Sequence, residues 1–151
     1  MNKKEIYATI REQAQSVLAG ESDQLVRLST IVALLKNEMP HFYWVGFYLW
    51  HAEEEVLKVG PYQGTLACLR IAKGRGVCGQ VAESRQAMIV PNTHAHPGHI
   101  ACDAASNSEI VLPVFDTQGD FIGVLDVDST CFGAFDAEDQ EGLEALLATL
   151  V

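Results

Sequence analysis

Tyr43-Trp44-Val45-Gly46-Phe47-Tyr48-Leu49 is the stretch on which the fold turns. Its aromatic and β-branched side chains suit a pleated, half-buried surface and predict a strand. Upstream of it the periodicity is helical. Ile6, Ile10, Val17 and Leu18 recur at helical spacing, Gly20 closes that segment, and Ser22 or Asp23 can cap a second one. The second stripe, Leu25, Leu28, Ile31, Val32 and Leu35, stops before Pro40. Downstream, Glu53-Glu54-Glu55 makes a polar turn into a returning strand at 56–59, and Cys68-Leu69-Arg70-Ile71 reads as a third strand. Gly74-Arg75-Gly76-Val77 turns into a short helix at 77–83, and Met88-Ile89-Val90 is a short strand. Strands at 110–115 and 121–127 flank the turn Asp116-Thr117-Gln118-Gly119-Asp120. Asp136 caps a last helix from Ala137 that carries Leu143, Leu146, Leu147 and Leu150. Strands in series with helices at the ends predict an α+β fold: a central, largely antiparallel sheet flanked by two N-terminal helices and one C-terminal helix. No linker, repeat or low-complexity segment interrupts residues 1–151, which read as one domain.

The chain has 151 residues, 48% of them hydrophobic, enough to build a core and too many for a disordered chain. No apolar run approaches the roughly 20 residues of a membrane span. Met1-Asn2-Lys3-Lys4-Glu5 leads into an amphipathic segment rather than a secretory signal, so a cytoplasmic location is expected. Ten basic residues against 20 acidic ones give a net charge of −10. That surface repels a phosphate backbone and an anionic membrane, so neither nucleic acid nor membrane is an expected partner. The four cysteines contain no CxxC pair, which excludes a zinc ribbon and a thioredoxin-type motif, and they read as reduced cytosolic thiols.

The stretch 91–108 lacks periodicity over roughly 18 residues, a length at which a loop is usually functional. It holds His94, His96 and His99 in a His-x-His-x-x-His array, with Cys102 three residues on. Imidazole and thiolate are zinc ligands. However, Gly98 stands where the metallo-hydrolase pattern carries an aspartate, and later ligands are not evident. Histidines capping a polar loop are the weightier reading, and no metal is expected. Cys102 precedes Asp103-Ala104-Ala105-Ser106-Asn107-Ser108-Glu109. These small and capping residues suit a tight turn or helix start whose N–H groups would lower the thiol pKa; a simply packed free cysteine is the alternative. Cys78, near a helix start and beside Arg75, is a second candidate thiolate. Cys68 on an apolar strand reads as structural, and Cys131 offers only packing.

Asp126 and Asp128 are two residues apart on one strand, so both carboxylates project from the same face. Glu109 opens the preceding strand and the hairpin brings it close. Such a cluster raises at least one carboxyl pKa, as a general acid or an ammonium-binding site requires. A solvated strand edge is the alternative. Most of the aromatic residues at 43–48 read as core, but Trp44 beside these carboxylates would wall a site for a ligand with apolar and cationic parts.

Four blocks carry a family likeness. They are Trp44-Val45-Gly46-Phe47-Tyr48, Gly74-Arg75-Gly76-Val77-Cys78-Gly79, the run His99-Ile100-Ala101-Cys102-Asp103-Ala104-Ala105-Ser106-Asn107-Ser108-Glu109-Ile110-Val111-Leu112-Pro113, and Gly123-Val124-Leu125-Asp126-Val127-Asp128-Ser129. In this order, over nearly the whole chain, they resemble the free methionine-R-sulfoxide reductases, single GAF-domain enzymes. The block around Cys102 is highly specific; the Gly-Val-Leu-Asp strand alone occurs across GAF domains. The resemblance implies a GAF-like antiparallel sheet and reduction of free L-methionine-(R)-sulfoxide. It implies thioredoxin as the external reductant, no bound cofactor, and commonly a homodimer. Cys102 matches the position that attacks the sulfoxide, Cys68 that of its principal disulfide partner, and Cys78 the family's third cysteine. Glu109, Asp126 and Asp128 match the acidic pocket, and Trp44 its aromatic wall. Which carboxylate donates a proton, and whether Cys78 also resolves, stay open. A non-catalytic GAF sensor and a zinc hydrolase built on His94, His96, His99 and Cys102 rank below this reading.

Overall fold

A computed structural model describes residues 1–100 and 102–150; Ala101, in the loop at 91–108, and Val151 lie outside the described residues. Helix α1 (Lys3–Val17) starts where the Asn2 side chain accepts from the Glu5 N–H, and α2 (Gln24–Glu38) where Asp23 accepts from Val26. Of the apolar positions in the two stripes, Val17 and Leu25 face outward at 65% exposure each. The strands are β1 (Trp44–His51), β2 (Val56–Gln63), β3 (Arg70–Ala72), β4 (Met88–Val90), β5 (Ser108–Phe115) and β6 (Phe121–Ser129), with α3 (Gly76–Ser84) between β3 and β4. Helix α4 (Ala137–Leu147) opens on a capping box in which Asp136 and Asp139 satisfy each other's backbone N–H groups.

One six-stranded sheet has the order β3-β2-β1-β6-β5-β4, and every neighbouring pair is antiparallel. The period of two along each strand divides the residues between two cores. Val45, Phe47, Ile110, Leu112, Leu125 and Val127 face the layer of α1, α2 and α4. Trp44, Tyr48, Val111 and Val124 face the other way, toward Val77, Cys78, Val81 and Ala82 of α3. Both faces of β1, β5 and β6 are therefore covered. The last strand of the hairpin lies in the middle of the sheet, not at a solvated edge. No helix among the described residues is long and apolar enough to cross a membrane.

One strand assignment differs from the sequence reading. Cys68 and Leu69 precede β3 rather than belong to it, because only Arg70 to Ala72 pair with β2. Leu69, which gave that segment part of its apolar look, is 70% exposed.

Candidate active site

The sheet assembles the acidic cluster by register. Trp44 lies opposite Asp128, which lies opposite Glu109, so an indole and two carboxyls form one row across three strands. The next row sets Gly46 opposite Asp126 and Asp126 opposite Val111. Directly opposed residues hold their Cβ atoms about 5 Å apart. A side chain at Gly46 would collide with Tyr62 and with the Trp44 ring. Its absence lets the indole lie between Tyr48 and Tyr62, with ring centroids 5.8 Å and 5.2 Å away. The Trp44 Nε1–H donates to the Thr65 carbonyl at 3.0 Å, which fixes the ring.

Helix α3 closes the cluster from above. Cys78 Sγ and carboxylate oxygens of Glu109 and Asp126 lie within 4.8 Å of one another, all on buried residues. Glu109 and Asp126 are 6% and 5% exposed, while Asp128 keeps partial exposure to the cavity. Among the described residues every ion pair lies elsewhere, on Lys3, Lys58, Arg70 and Lys73, so no cation of the chain neutralises this cluster. Burial therefore dominates its titration, and like charges reinforce it. Asp126 is pushed up to about 8 by burial and by Asp128. Glu109 rises well above the usual carboxylate range through burial and the neighbouring Asp126, and Asp128 through burial and Glu109.

The Cys78 thiol also moves up, from burial first and then from Asp126, Glu109 and Asp128. This corrects the expectation of a partial thiolate. Its side chain faces the acids of the sheet, whereas Arg75 is exposed.

The raised carboxyls have a consequence for stability. Asp126 binds its proton more tightly folded than unfolded, so the folded state is favoured while that proton is held. Stability is then lost as pH rises from the unfolded value near 3.8 through about 8. The melting temperature is expected to fall across that window and to fall less in Asp126→Asn, checked by calorimetry from pH 4 to 9.

Cys102 forms a disulfide with Cys68, 34 residues away in sequence, with Cα atoms 5.6 Å apart. This is the pair that the family resemblance implied, so the cysteines are not all reduced thiols here; Cys78 and Cys131 are the free ones. No helix starts after Cys102. Instead the Asp103 carboxylate clamps the two cysteine-bearing loops together. It accepts from Thr65 Oγ1 at 2.7 Å, on the Cys68 side, from the Tyr43 hydroxyl at 2.7 Å, and from the Ala105 N–H at 2.9 Å. These bonds, with Thr65 the largest, hold the Asp103 carboxyl below its usual range. Cys131 is exposed rather than packed.

The disulfide and the acids line one cavity of about 50 Å³, together with Trp44, Tyr48, Cys78 and His99. Of the residues expected at the site, Cys68 alone is not among those lining it; it reaches the wall through its bond to Cys102. Separate partners hold His94 and His96 of the histidine array. His94 shares a hydrogen bond with Asn107 and His96 with Gln80, each at 2.7 Å, and the three imidazoles form no compact ligand group among the described residues. Tyr43, Thr65 and Asp103 were missed as site-forming residues. Their side-chain contacts join segments 38 and 60 positions apart, and no local pattern announces them.

A family model described as the GAF domain matches residues 23–151. The chain is 47% identical to the free methionine-R-sulfoxide reductase of Escherichia coli, covering 99% of this chain and 89% of that protein. It is 38% identical to the protein of the same name in Saccharomyces cerevisiae, with 97% and 84% covered. The crystal structure of the free methionine-R-sulfoxide reductase from Neisseria meningitidis, in complex with its substrate, superposes with a TM-score of 0.94 at 42% identity, over 99% of this chain and 89% of that one.

Proposed function

Because the chain belongs to the free methionine-R-sulfoxide reductase family, built on a GAF domain, we propose that it reduces free L-methionine-(R)-sulfoxide to L-methionine at this cavity. The observation that carries the reading is the Cys68–Cys102 disulfide beside a buried, cation-free cluster of acids.

In the proposed cycle the Cys102 thiolate attacks the sulfoxide sulfur while a carboxyl of the cluster gives its proton to the oxygen. The S–O bond breaks, the electron pair of sulfur is restored, methionine leaves, and Cys102 carries the oxygen as a sulfenic acid. The Cys68 thiol then attacks that sulfur, water departs, and the disulfide forms. A dithiol protein of the thioredoxin class takes the oxidising equivalents and returns both thiols. The electrons come from thiols throughout, so the cycle invokes no bound cofactor or metal. A carboxyl that stays protonated near neutral pH suits the proton donor, and burial is what keeps it so. An α-ammonium group, lost when methionine is peptide-bound, suits the remaining negative charge. Trp44 and Tyr48 suit the thioether methyl end.

The partner side of the proposal places thioredoxin at the exposed Cys102 and at Leu66 and Leu69, which flank Cys68. Leu69→Ser is expected to raise the KM for thioredoxin several-fold and to leave turnover with a small dithiol unchanged, as loss of an apolar contact outside the cavity would. A cytoplasmic location and a homodimer complete the proposal, the latter checked by light scattering.

The test is a thioredoxin-coupled assay on three substrates: the free R epimer, the free S epimer and the R epimer within a peptide. Turnover confined to the free R epimer is expected. Equal rates on free and peptide-bound sulfoxide would remove the acid cluster from substrate choice.

A further inference from the structure

We propose that Cys78, Glu109 and Asp126 form a site for one thiophilic divalent cation, zinc or cadmium, which competes with the substrate's ammonium group and so holds the enzyme inactive. The competition rests on the functional reading above; the metal site itself does not.

Two separate observations point to a cation. The thiol and two carboxyls already lie within 4.8 Å of one another. A tetrahedral ion about 2.0–2.3 Å from each ligand needs neighbouring ligand atoms about 3.5 Å apart, so a contraction of little more than an ångström completes the set. Independently, Asp126 Oδ1 is buried with no donor from outside the cluster, on a side chain that lines the cavity and is 5% exposed; only the Glu109 carboxyl and the Cys78 thiol reach that carboxylate. A buried carboxylate oxygen normally has a partner, and the lack of one outside the cluster leaves a coordination position to fill.

The ligand types select the ion. Magnesium and calcium take oxygen sets, whereas a thiolate beside two carboxylates favours zinc or cadmium. A cavity of about 50 Å³ admits a bare ion with a water or two. Asp128, in the same lining, is placed to act as a fourth ligand or to hold that water. Binding sends the Cys78 thiol proton, and any proton still held by Glu109 or Asp126, to solvent as the metal bonds form. The histidines of the 91–108 loop offer no comparable group, and Cys102 is already held by Cys68.

The disulfide makes the test clean, because only Cys78 and Cys131 remain as thiols in the oxidised chain. Oxidised Cys131→Ser protein is titrated with cadmium while the sulfur-to-cadmium ultraviolet band is followed. The band is expected to saturate at one cadmium per chain, to vanish on adding Cys78→Ser, and to need at least about tenfold more cadmium in Asp126→Asn. No band in the Cys131→Ser parent, which needs no substitution inside the site, overturns the proposal. So does a band that Asp126→Asn leaves at full affinity. Excess free methionine is expected to raise the cadmium concentration required. An intact band indifferent to methionine would overturn the competition and place the failure in the functional reading, with the metal site standing.

Discussion

Cys102→Ser is expected to lower methionine formation from free methionine-(R)-sulfoxide by at least about 10³-fold, some 4 kcal/mol of transition-state stabilisation. The reaction transfers oxygen from one sulfur to another, and the acceptor sulfur must be a thiolate that reaches the substrate. A serine hydroxyl is neither ionised near neutral pH nor able to take oxygen. Of the four cysteines, Cys102 alone is both part of the cavity wall and close enough to a second thiol to be bridged. Cys78 shares the cavity but is a poor substitute, since burial and three carboxyls keep its proton in place. Quantifying methionine after a single mixing of reduced variant and substrate gives the answer, with wild-type chain as reference. A variant that turns over normally would move the attacking sulfur to Cys78.

Cys68→Ser is expected to separate the two halves of the cycle. The first methionine forms at nearly the wild-type rate, because Cys102 and the acids are untouched. Steady turnover with thioredoxin then falls by about 10²-fold or more, since the sulfenic acid has lost the thiol held within bridging distance. Neither Cys78, buried on the face of α3 that meets the acids, nor Cys131, on the loop after β6, is tied to Cys102 as the Asp103 clamp ties Cys68. The measurement is a rapid-quench time course, with the sulfenic acid trapped by a cyclic 1,3-dione and located by mass spectrometry. One methionine per chain with the adduct on Cys102 is the expected outcome. Undiminished steady turnover would remove Cys68 from the resolving role.

Much of the architecture was written in local pattern, because helix and strand periodicity depend on neighbours a few residues away. The two N-terminal helices, β1, β4 and the capped C-terminal helix stand where their stripes and caps indicated. The carboxylate cluster was half legible. Alternation placed Asp126 and Asp128 on one face, and the hairpin brought Glu109 near, but whether that face met water was not decided by β6 itself. It is decided by α3, which covers the face and makes an acidic row of the central strands into a set of proton-holding carboxyls. The same covering misled the reading of Cys78. A helix start and a nearby arginine argue for a thiolate, yet the side chain points away from both into the acids. Cys68 was misassigned for the opposite reason: exposed Leu69 extends the look of a strand that the sheet begins only at Arg70. Its pairing with Cys102 followed from the family likeness and from no local signal, since the loops meet through contacts of Thr65, Tyr43 and Asp103 that exist only once β1 is in place.

The most direct measurement uses fully reduced chain mixed with one equivalent of free methionine-(R)-sulfoxide and no reductant, quenched with an alkylating agent and mapped by mass spectrometry. One methionine released per chain, Cys68 and Cys102 joined, and Cys78 and Cys131 alkylated is the expected result. Methionine released while Cys68 and Cys102 both remain alkylated, or a chain that releases no methionine at all, would contradict it.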